Sequence, residues 1–393
     1  MNNQSMADRT KNLSPENNKV VVEVAGNPAE KQEIYRFRYL VHAEDSNKTG
    51  AVGDSSQGVI CDPIDEQSLL LYARDGAKIV GTLRLTFGKP HEFSDTLFAV
   101  FHLERFQSPL YEKVGPIIGL GTKLAVKSGY RGTQVLYLLM VKAYELFREH
   151  HAEYIFCGCN PYLIPLYEKM GFRKFVQNFV DPGNGLLVPL VMAVENISHL
   201  RAVHSPFYRI ARKFSNDAQS EKKFLQLFPE VLLHVNTYLV SQAELWEIVI
   251  QKLGKSPLRA IPLLKRLSGQ EASAFLHLGT VVFCAHSDCI VHYGEVSNEV
   301  FVVLSGAVLG ETNDHARIIH PGQSFGGMGL CNNPGPQVET MMAITNSEIL
   351  VVSRQNFERF NRLYSKAALQ ILQNLESVLQ LDAVSAKGGI EHE

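Results

Sequence analysis

The chain has 393 residues, 45% of them hydrophobic, with 38 Lys and Arg against 40 Asp and Glu. At roughly 100–200 residues per domain this length exceeds one ordinary core and implies two domains joined by helices. The balanced charge gives no global basic field, so nucleic acid is not expected as a partner.

Residues 1–18 are rich in Asn, Ser, Lys and Glu, lack the apolar stretch of a secretory signal, and read as a disordered tail. A strand is expected over Lys19–Val24 and a helix over Ala29–Glu44, where apolar residues recur at helical spacing. Two apolar runs, Ser68–Arg74 and Lys78–Phe87, flank Asp75-Gly76 and predict a hairpin. Ile117–Val126 predicts a strand, Gly129–Gly132 a turn, and Gln134–His150 a helix. Tyr154–Cys159 reads as a buried strand, Ile164–Met170 as a short helix closed by Gly171, and Leu186–Val194 as a last strand. Gly185–Val194 falls far short of the ~20 residues a spanning helix needs, so the expectation is a soluble, cytoplasmic protein without an integral membrane segment.

Between Ile197 and Gly254 the pattern turns helical and is broken at Pro206, Pro229 and Pro257. Leu225, Phe228, Leu232 and Val235 are spaced for one apolar face, which could cover either domain or make a homodimer. From Thr280 to Ser353 short strands recur between glycines, as in a jelly roll, and Gln355–Leu379 returns to helix. Six cysteines without CxxC spacing read as buried reduced thiols, and no His cluster supports a metal site.

Two motif series carry chemistry. The first comprises Tyr35-Arg36-Phe37-Arg38-Tyr39, Asp62-Pro63-Ile64-Asp65, Val80-Gly81-Thr82-Leu83-Arg84, Leu124-Ala125-Val126, Tyr130-Arg131-Gly132 and Pro165-Leu166-Tyr167-Glu168-Lys169-Met170-Gly171-Phe172. In this order they resemble the GNAT acyltransferase superfamily, and within it the N-acyl amino acid synthases and acyl-homoserine lactone synthases. The resemblance implies transfer of a fatty acyl group from acyl-CoA or acyl-carrier protein to a small-molecule amine. It assigns Arg38 and Arg84 to the acceptor, Asp62 and Asp65 to the amine, and Tyr167 to protonation of the departing thiolate, a task that a pKa of ~10 suits. The donor phosphate would lie on Ala125, Val126, Arg131, Gly132, Thr133 and Gln134, where a helix start offers unpaired N–H groups. The superfamily pattern wants glycine at Gln134 and Leu136, and its absence favours a carrier-protein donor with one phosphate; Lys123, Lys127, Arg131, Lys142 and Arg148 could dock it. The lactone synthases' acidic residue and Ser-Arg are missing from Leu120-Gly121-Thr122-Lys123, so simple N-acylation is expected.

The second series, Ile290-Val291-His292-Tyr293-Gly294-Glu295, Val300–Val308 and Pro321-Gly322-Gln323-Ser324-Phe325-Gly326, resembles the cyclic-nucleotide-binding family. The sensor pocket would fall on Phe325, Gly326, Gly327, Gln337, Val338, Glu339 and Thr340. The family's ribose-binding Glu is replaced by Gly327 and its phosphate-binding Arg falls near Gln337, so weak or no cyclic AMP binding is expected.

The expected architecture is α+β: a GNAT-like mixed sheet with helices over 19–196, a helical linker over 197–260, a jelly roll of cyclic-nucleotide-binding type over 261–382, and a flexible tail over 383–393. The competing reading is a non-catalytic ligand sensor or scaffold with both sites eroded.

Overall fold

The computed structural model describes residues 20–45, 58–107, 115–131, 133–181, 185–213, 220–236, 239–294, 299–312, 315–330 and 337–387. The expected N-terminal tail and the last residues, 388–393, lie outside them.

The N-terminal unit is built on one mixed sheet in the order β1-β2-β3-β4-β5-β8-β6, with β7 also paired to β8. Its strands are β1 (Val21–Val24), β2 (Leu69–Asp75), β3 (Lys78–Gly88), β4 (Ile118–Val126), β5 (Tyr154–Cys159), β6 (Arg173–Lys174), β7 (Phe179–Asp181) and β8 (Gly185–Ala193). The helices are α1 (Pro28–Asp45), α2 (Asp95–Val100), α3 (Gln134–Glu149) and α4 (Ile164–Met170). Alternation along β5 explains the two-sided covering. Ile155, Cys157 and Cys159 face a core shared with Leu139, Ala143 and Phe147 of α3. Tyr154 and Phe156 face an aromatic cluster on the other side.

That aromatic side answers what the helical linker covers. Its elements are α5 (Ile197–Ala202), α6 (Tyr208–Ala211), α7 (Ser220–Leu227), α8 (Gln242–Leu253) and α9 (Pro257–Ala260). Pro229 ends α7 early and forces a 3-10 turn over Pro229–Leu233. Phe224, Leu227, Phe228 and Val231 therefore go inward, against Phe106, Tyr154, Phe156 and Phe175. The expected face is corrected at Leu232, which is 71% exposed because the turn changes the period. Burying Phe228 completely contributes on the order of 2–3 kcal/mol.

The C-terminal unit packs two four-stranded antiparallel sheets, β10-β15-β12-β13 and β14-β11-β16-β9. The strands are β9 (Thr280–Cys284), β10 (Cys289–Val291), β11 (Glu299–Ser305), β12 (Val308–Glu311), β13 (Ala316–Ile319), β14 (Ser324–Gly326), β15 (Thr340–Ala343) and β16 (Ser347–Ser353). Phe301 and Phe325 stack inside the roll, with ring centres 4.9 Å apart. Outside it, α10 (Gly269–His277), α11 (Arg354–Leu363) and α12 (Ser365–Lys387) pack on Val281, Val300, Val302 and Leu350. The helix expected to end at Leu379 is thus two helices, and the second runs into the segment read as a tail.

The two units are joined through buried polar contacts. Lys174 Nζ lies 3.1 Å from Glu168 Oε1 and donates to the carbonyls of Val235 (2.8 Å) and Val281 (3.0 Å). Asn178 Nδ2 donates to the Phe283 carbonyl at 2.7 Å and to Asp288 Oδ2 at 3.1 Å. Among the cysteines, Cys157, Cys159 and Cys284 are buried as expected. Cys61 is exposed because it precedes a surface turn instead of sitting in a strand, and Cys289, at the start of β10, is half-buried; Cys331 lies outside the described residues.

Candidate active site

The cleft arises from a split between two strands. β4 and β5 pair in parallel only over Ile118–Leu120 and Tyr154–Phe156. Beyond that β4 stays with β3 and β5 stays with β8, so a wedge opens between them. The resulting cleft holds about 2360 Å³ and is walled by Gly121–Val126 of β4, Gly158 and Cys159 of β5, and Tyr167 of α4. Burial pushes the Cys159 thiol up, which disfavours the thiolate that a nucleophile needs.

At one side of the cleft four sequence-expected residues meet. Pro63 starts a 3-10 turn over Pro63–Gln67; Ile64 N–H donates to Asp62 Oδ1 (3.0 Å) and Asp62 N–H donates to Asp65 Oδ2 (2.9 Å). This reciprocal cap fixes both carboxylates. Arg38 Nη1, from α1, donates to both oxygens of Asp65 at 2.9 and 3.0 Å. Arg84, from β3, lies 2.5 Å from Asp62 Oδ1 and 3.3 Å from Asp65 Oδ1, and its Nε donates to Thr122 Oγ1 at 2.8 Å. A register shift between Thr82 and Arg84 on β3, with Lys123 at φ +53°, brings Lys123 Nζ within 3.7 Å of Asp62 Oδ2. Three cations therefore face two carboxylates. Arg38 is 3% exposed, and its Nε and Nη2 are buried without a hydrogen-bond partner among the described residues.

The two aspartates differ in availability. Burial pushes Asp62 up, but Arg84 and then Lys123 outweigh it, leaving the carboxyl below its ordinary range. It lines the cleft as a half-buried carboxylate. Asp65 is 1% exposed, is engaged by Arg38, Arg84 and the Asp62 amide, and does not line the cleft. Thr122 and Lys123 join the network although the sequence reading gave neither a place in the acceptor pocket. Only the strand bulge brings them there, and spacing carries no sign of it.

On the expected donor side, Ala125, Val126, Arg131 and Thr133 line the cleft, whereas Gln134 does not and Gly132 lies outside the described residues. Several donors at the turn are already used. Arg131 N–H donates to the Ser128 carbonyl and its Nε to the Val126 carbonyl, Thr133 N–H donates to Tyr130, and Val135 N–H donates to Thr133 Oγ1. Of the cations expected to dock a carrier, Lys142 pairs with Glu145 and Arg148 with Glu195, both outside the cleft wall. Tyr167 is 6% exposed and meets Phe172 edge-on at 5.4 Å. Gly171 closes α4 at φ +114°, where a Cβ would collide with Leu200.

The expected sensor residues lie on β14, β15 and the segments beside them. Arg317 of β13 grips Glu339 with Nε 3.0 Å from each oxygen and Nη2 2.8 Å from Oε2. The Gln337 carbonyl accepts from Gly294 N–H at 2.8 Å, while its Nε2 is buried without a partner among the described residues. Thr340 Oγ1 accepts from Tyr293 N–H at 3.1 Å, and Val338 is 68% exposed. Gly326 and Gly327 have φ of +72° and +88°.

The model of the family "N-acyl amino acid synthase FeeM" matches residues 33–193. These residues form a FeeM-type N-acyl amino acid synthase domain. By this domain the chain is an N-acyltransferase. The cyclic nucleotide-binding domain model matches residues 281–363, giving the C-terminal unit its type. FeeM from uncultured soil microbes is 15% identical, with 50% of this chain and 99% of that one covered and a TM-score of 0.37. The Thermus thermophilus catabolite activator protein is 20% identical over 33% of this chain, with a TM-score of 0.29, and the match spans 62% of its length. No curated protein sequence matches the chain significantly. Among the described residues, no helix is long and apolar enough to cross a membrane, and no three His, Cys, Asp or Glu are grouped to hold a metal.

Proposed function

We propose that the FeeM-type domain moves a fatty acyl group from a pantetheine thioester, on CoA or a carrier protein, to the amine of an amino acid. The observation that carries this reading is Arg38: a buried guanidinium whose Nε and Nη2 have no hydrogen-bond partner among the described residues, in a network with one more cation than carboxylates. Leaving such donors unmatched is unfavourable, and an acceptor carboxylate satisfies them with charge-assisted bonds.

In this reading Asp62 orients the acceptor's amine as an ionised carboxylate, and Asp65 acts by fixing Arg38. The amine nitrogen forms the N–C bond, the C–S bond breaks, and the amine proton replaces the one Tyr167 gives to the departing sulfur. Holding both reactants in one walled cleft supplies much of the rate. The C-terminal unit acts as a sensor that binds a cyclic nucleotide weakly or not at all, since Gln337 stands where the family's phosphate-binding Arg falls and Glu339 beside it is a carboxylate held by Arg317.

The test is purified full-length chain incubated with hexadecanoyl-CoA or hexadecanoyl carrier protein and a mixture of amino acids, read by mass spectrometry. A new N-acyl amino acid that depends on Arg38 supports the reading. Absence of any N-acyl product with both donors overturns it.

A further inference from the structure

The cleft does not belong to the synthase domain alone. Arg354, Arg359 and Arg362 of α11 line it together with Asp62, Arg131 and Tyr167. The fold dictates this exposure: Phe357 and Phe360 anchor α11 on Phe275 of α10, which leaves the charged face of the helix outward. Arg359 and Arg362, three residues apart, are neighbours on that face. Lys169 of α4, Arg201 of α5 and Arg209 of α6 line the same cleft. The side chains of Lys169, Arg201, Arg209 and Arg362 have no ion-pair or hydrogen-bond partner among the described residues, and that of Arg359 reaches only Asn356 Oδ1, at 3.5 Å. The acids lining the cleft are Asp62, Asp181, Glu299 and Glu358, and Glu358 is held by Arg354 at 3.1 Å. Ten Lys and Arg side chains line it against these four carboxylates.

We infer that the phosphate end of the acyl donor is held by an arginine cluster contributed by both units, so that the sensor-type domain completes the donor site. Two independent observations converge on it. At the turn before α3, where a donor phosphate was expected, the N–H groups of Arg131, Thr133 and Val135 and the Arg131 Nε are engaged internally. The guanidinium-rich wall, in contrast, has forks available for bidentate contact with phosphate. The shared chemistry is a phosphorylated pantetheine arm, whether it comes from CoA or from a carrier protein. The inference rests on the transfer reading only in taking the thioester's carrier as the ligand.

The test is a set of binding measurements on full-length protein that require no turnover. Wild type, Arg359→Glu/Arg362→Glu and a charge-matched control away from the cleft, Lys222→Glu/Lys255→Glu, are titrated with CoA, with phosphopantetheinylated carrier protein and with phosphate-free pantetheine, after matching melting temperatures confirm the fold. The arginine double reversal is expected to weaken CoA or carrier binding at least 10-fold and leave pantetheine unchanged, with Lys222→Glu/Lys255→Glu behaving as wild type. Loss for CoA names the nucleotide donor as the source; loss confined to the carrier protein names the protein. Unchanged affinity for both, an equal loss for pantetheine, or no binding of either donor by wild type overturns the inference. Failure of the transfer reading looks different: wild type binds a donor in an arginine-dependent way and yields no N-acyl product.

Discussion

Leu375 of α12 packs where any side chain at residue 327 would begin: a Cβ on Gly327 would lie 2.8 Å from Leu375 Cδ2. Gly327 is also at φ +88°, a region that other L-residues enter at a strain of roughly 1–3 kcal/mol. Gly327→Ala is expected to lower stability by at least that strain, measured by urea unfolding. Leu375→Ala should cost about 2–5 kcal/mol alone, and the double variant less than the sum, because the leucine no longer obstructs the new methyl.

Arg38→Ala is expected to raise KM for the amine acceptor about 10- to 100-fold, the loss of a charge-assisted contact, with the donor KM unchanged. Arg38→Lys keeps the charge but not the fork that grips Asp65, so it should recover little. Full recovery by lysine in steady-state kinetics would show that Arg38 contributes charge alone.

Tyr167→Phe keeps the aromatic contact with Phe172 and removes only the hydroxyl. A drop of about 100-fold in kcat with the melting temperature preserved is the expected result for a proton donor at sulfur. An unchanged kcat with an aryl thioester donor, whose more acidic leaving thiol needs less help, would agree with that role.

Burial, then the neighbouring Arg173, lowers His199 to about 4, and Arg173 Nε donates to its Nε2 at 3.2 Å. The folded chain therefore holds fewer protons here than the unfolded chain between pH 6.5 and about 4, so stability falls as pH falls through that window. From pH 7 to pH 5 this group alone should remove roughly 2 kcal/mol. His234, lowered to about 4 chiefly by burial, acts in the same direction. Denaturant unfolding of His199→Gln across that range should show a shallower acid slope than wild type.

Lys174→Met is expected to destabilise by about 3–5 kcal/mol, since it leaves Glu168 buried beside an apolar group and two carbonyls without their donor. Adding Glu168→Leu should restore part of the loss, read by thermal unfolding of the single and double variants.

Much of the fold was legible because its signals are local. The hairpin at Asp75-Gly76, the helix ending at Gly171 and the roll's glycine-punctuated strands each depend on neighbouring residues. The linker face was not, because Pro229 changes the helical period partway and moves Leu232 to the surface. Arg38, Asp62, Asp65 and Arg84 could be named from their order in the chain. That Thr122 and Lys123 join the network follows from a strand bulge, and that Asp65 stays off the cleft wall follows from its engagement by Arg38, Arg84 and the Asp62 amide. The arginines of α11 could not be placed at all, since they lie about 190 residues after Tyr167 and meet its cleft only through the packing of the two units.

Lys174 ties the α4 carboxylate, the linker carbonyl of Val235 and the first strand of the roll to one ammonium. Glu168, the tied carboxylate, is the next residue along α4 from Tyr167. The contact therefore places the first strand of the roll one side chain away from the helix that carries the phenol.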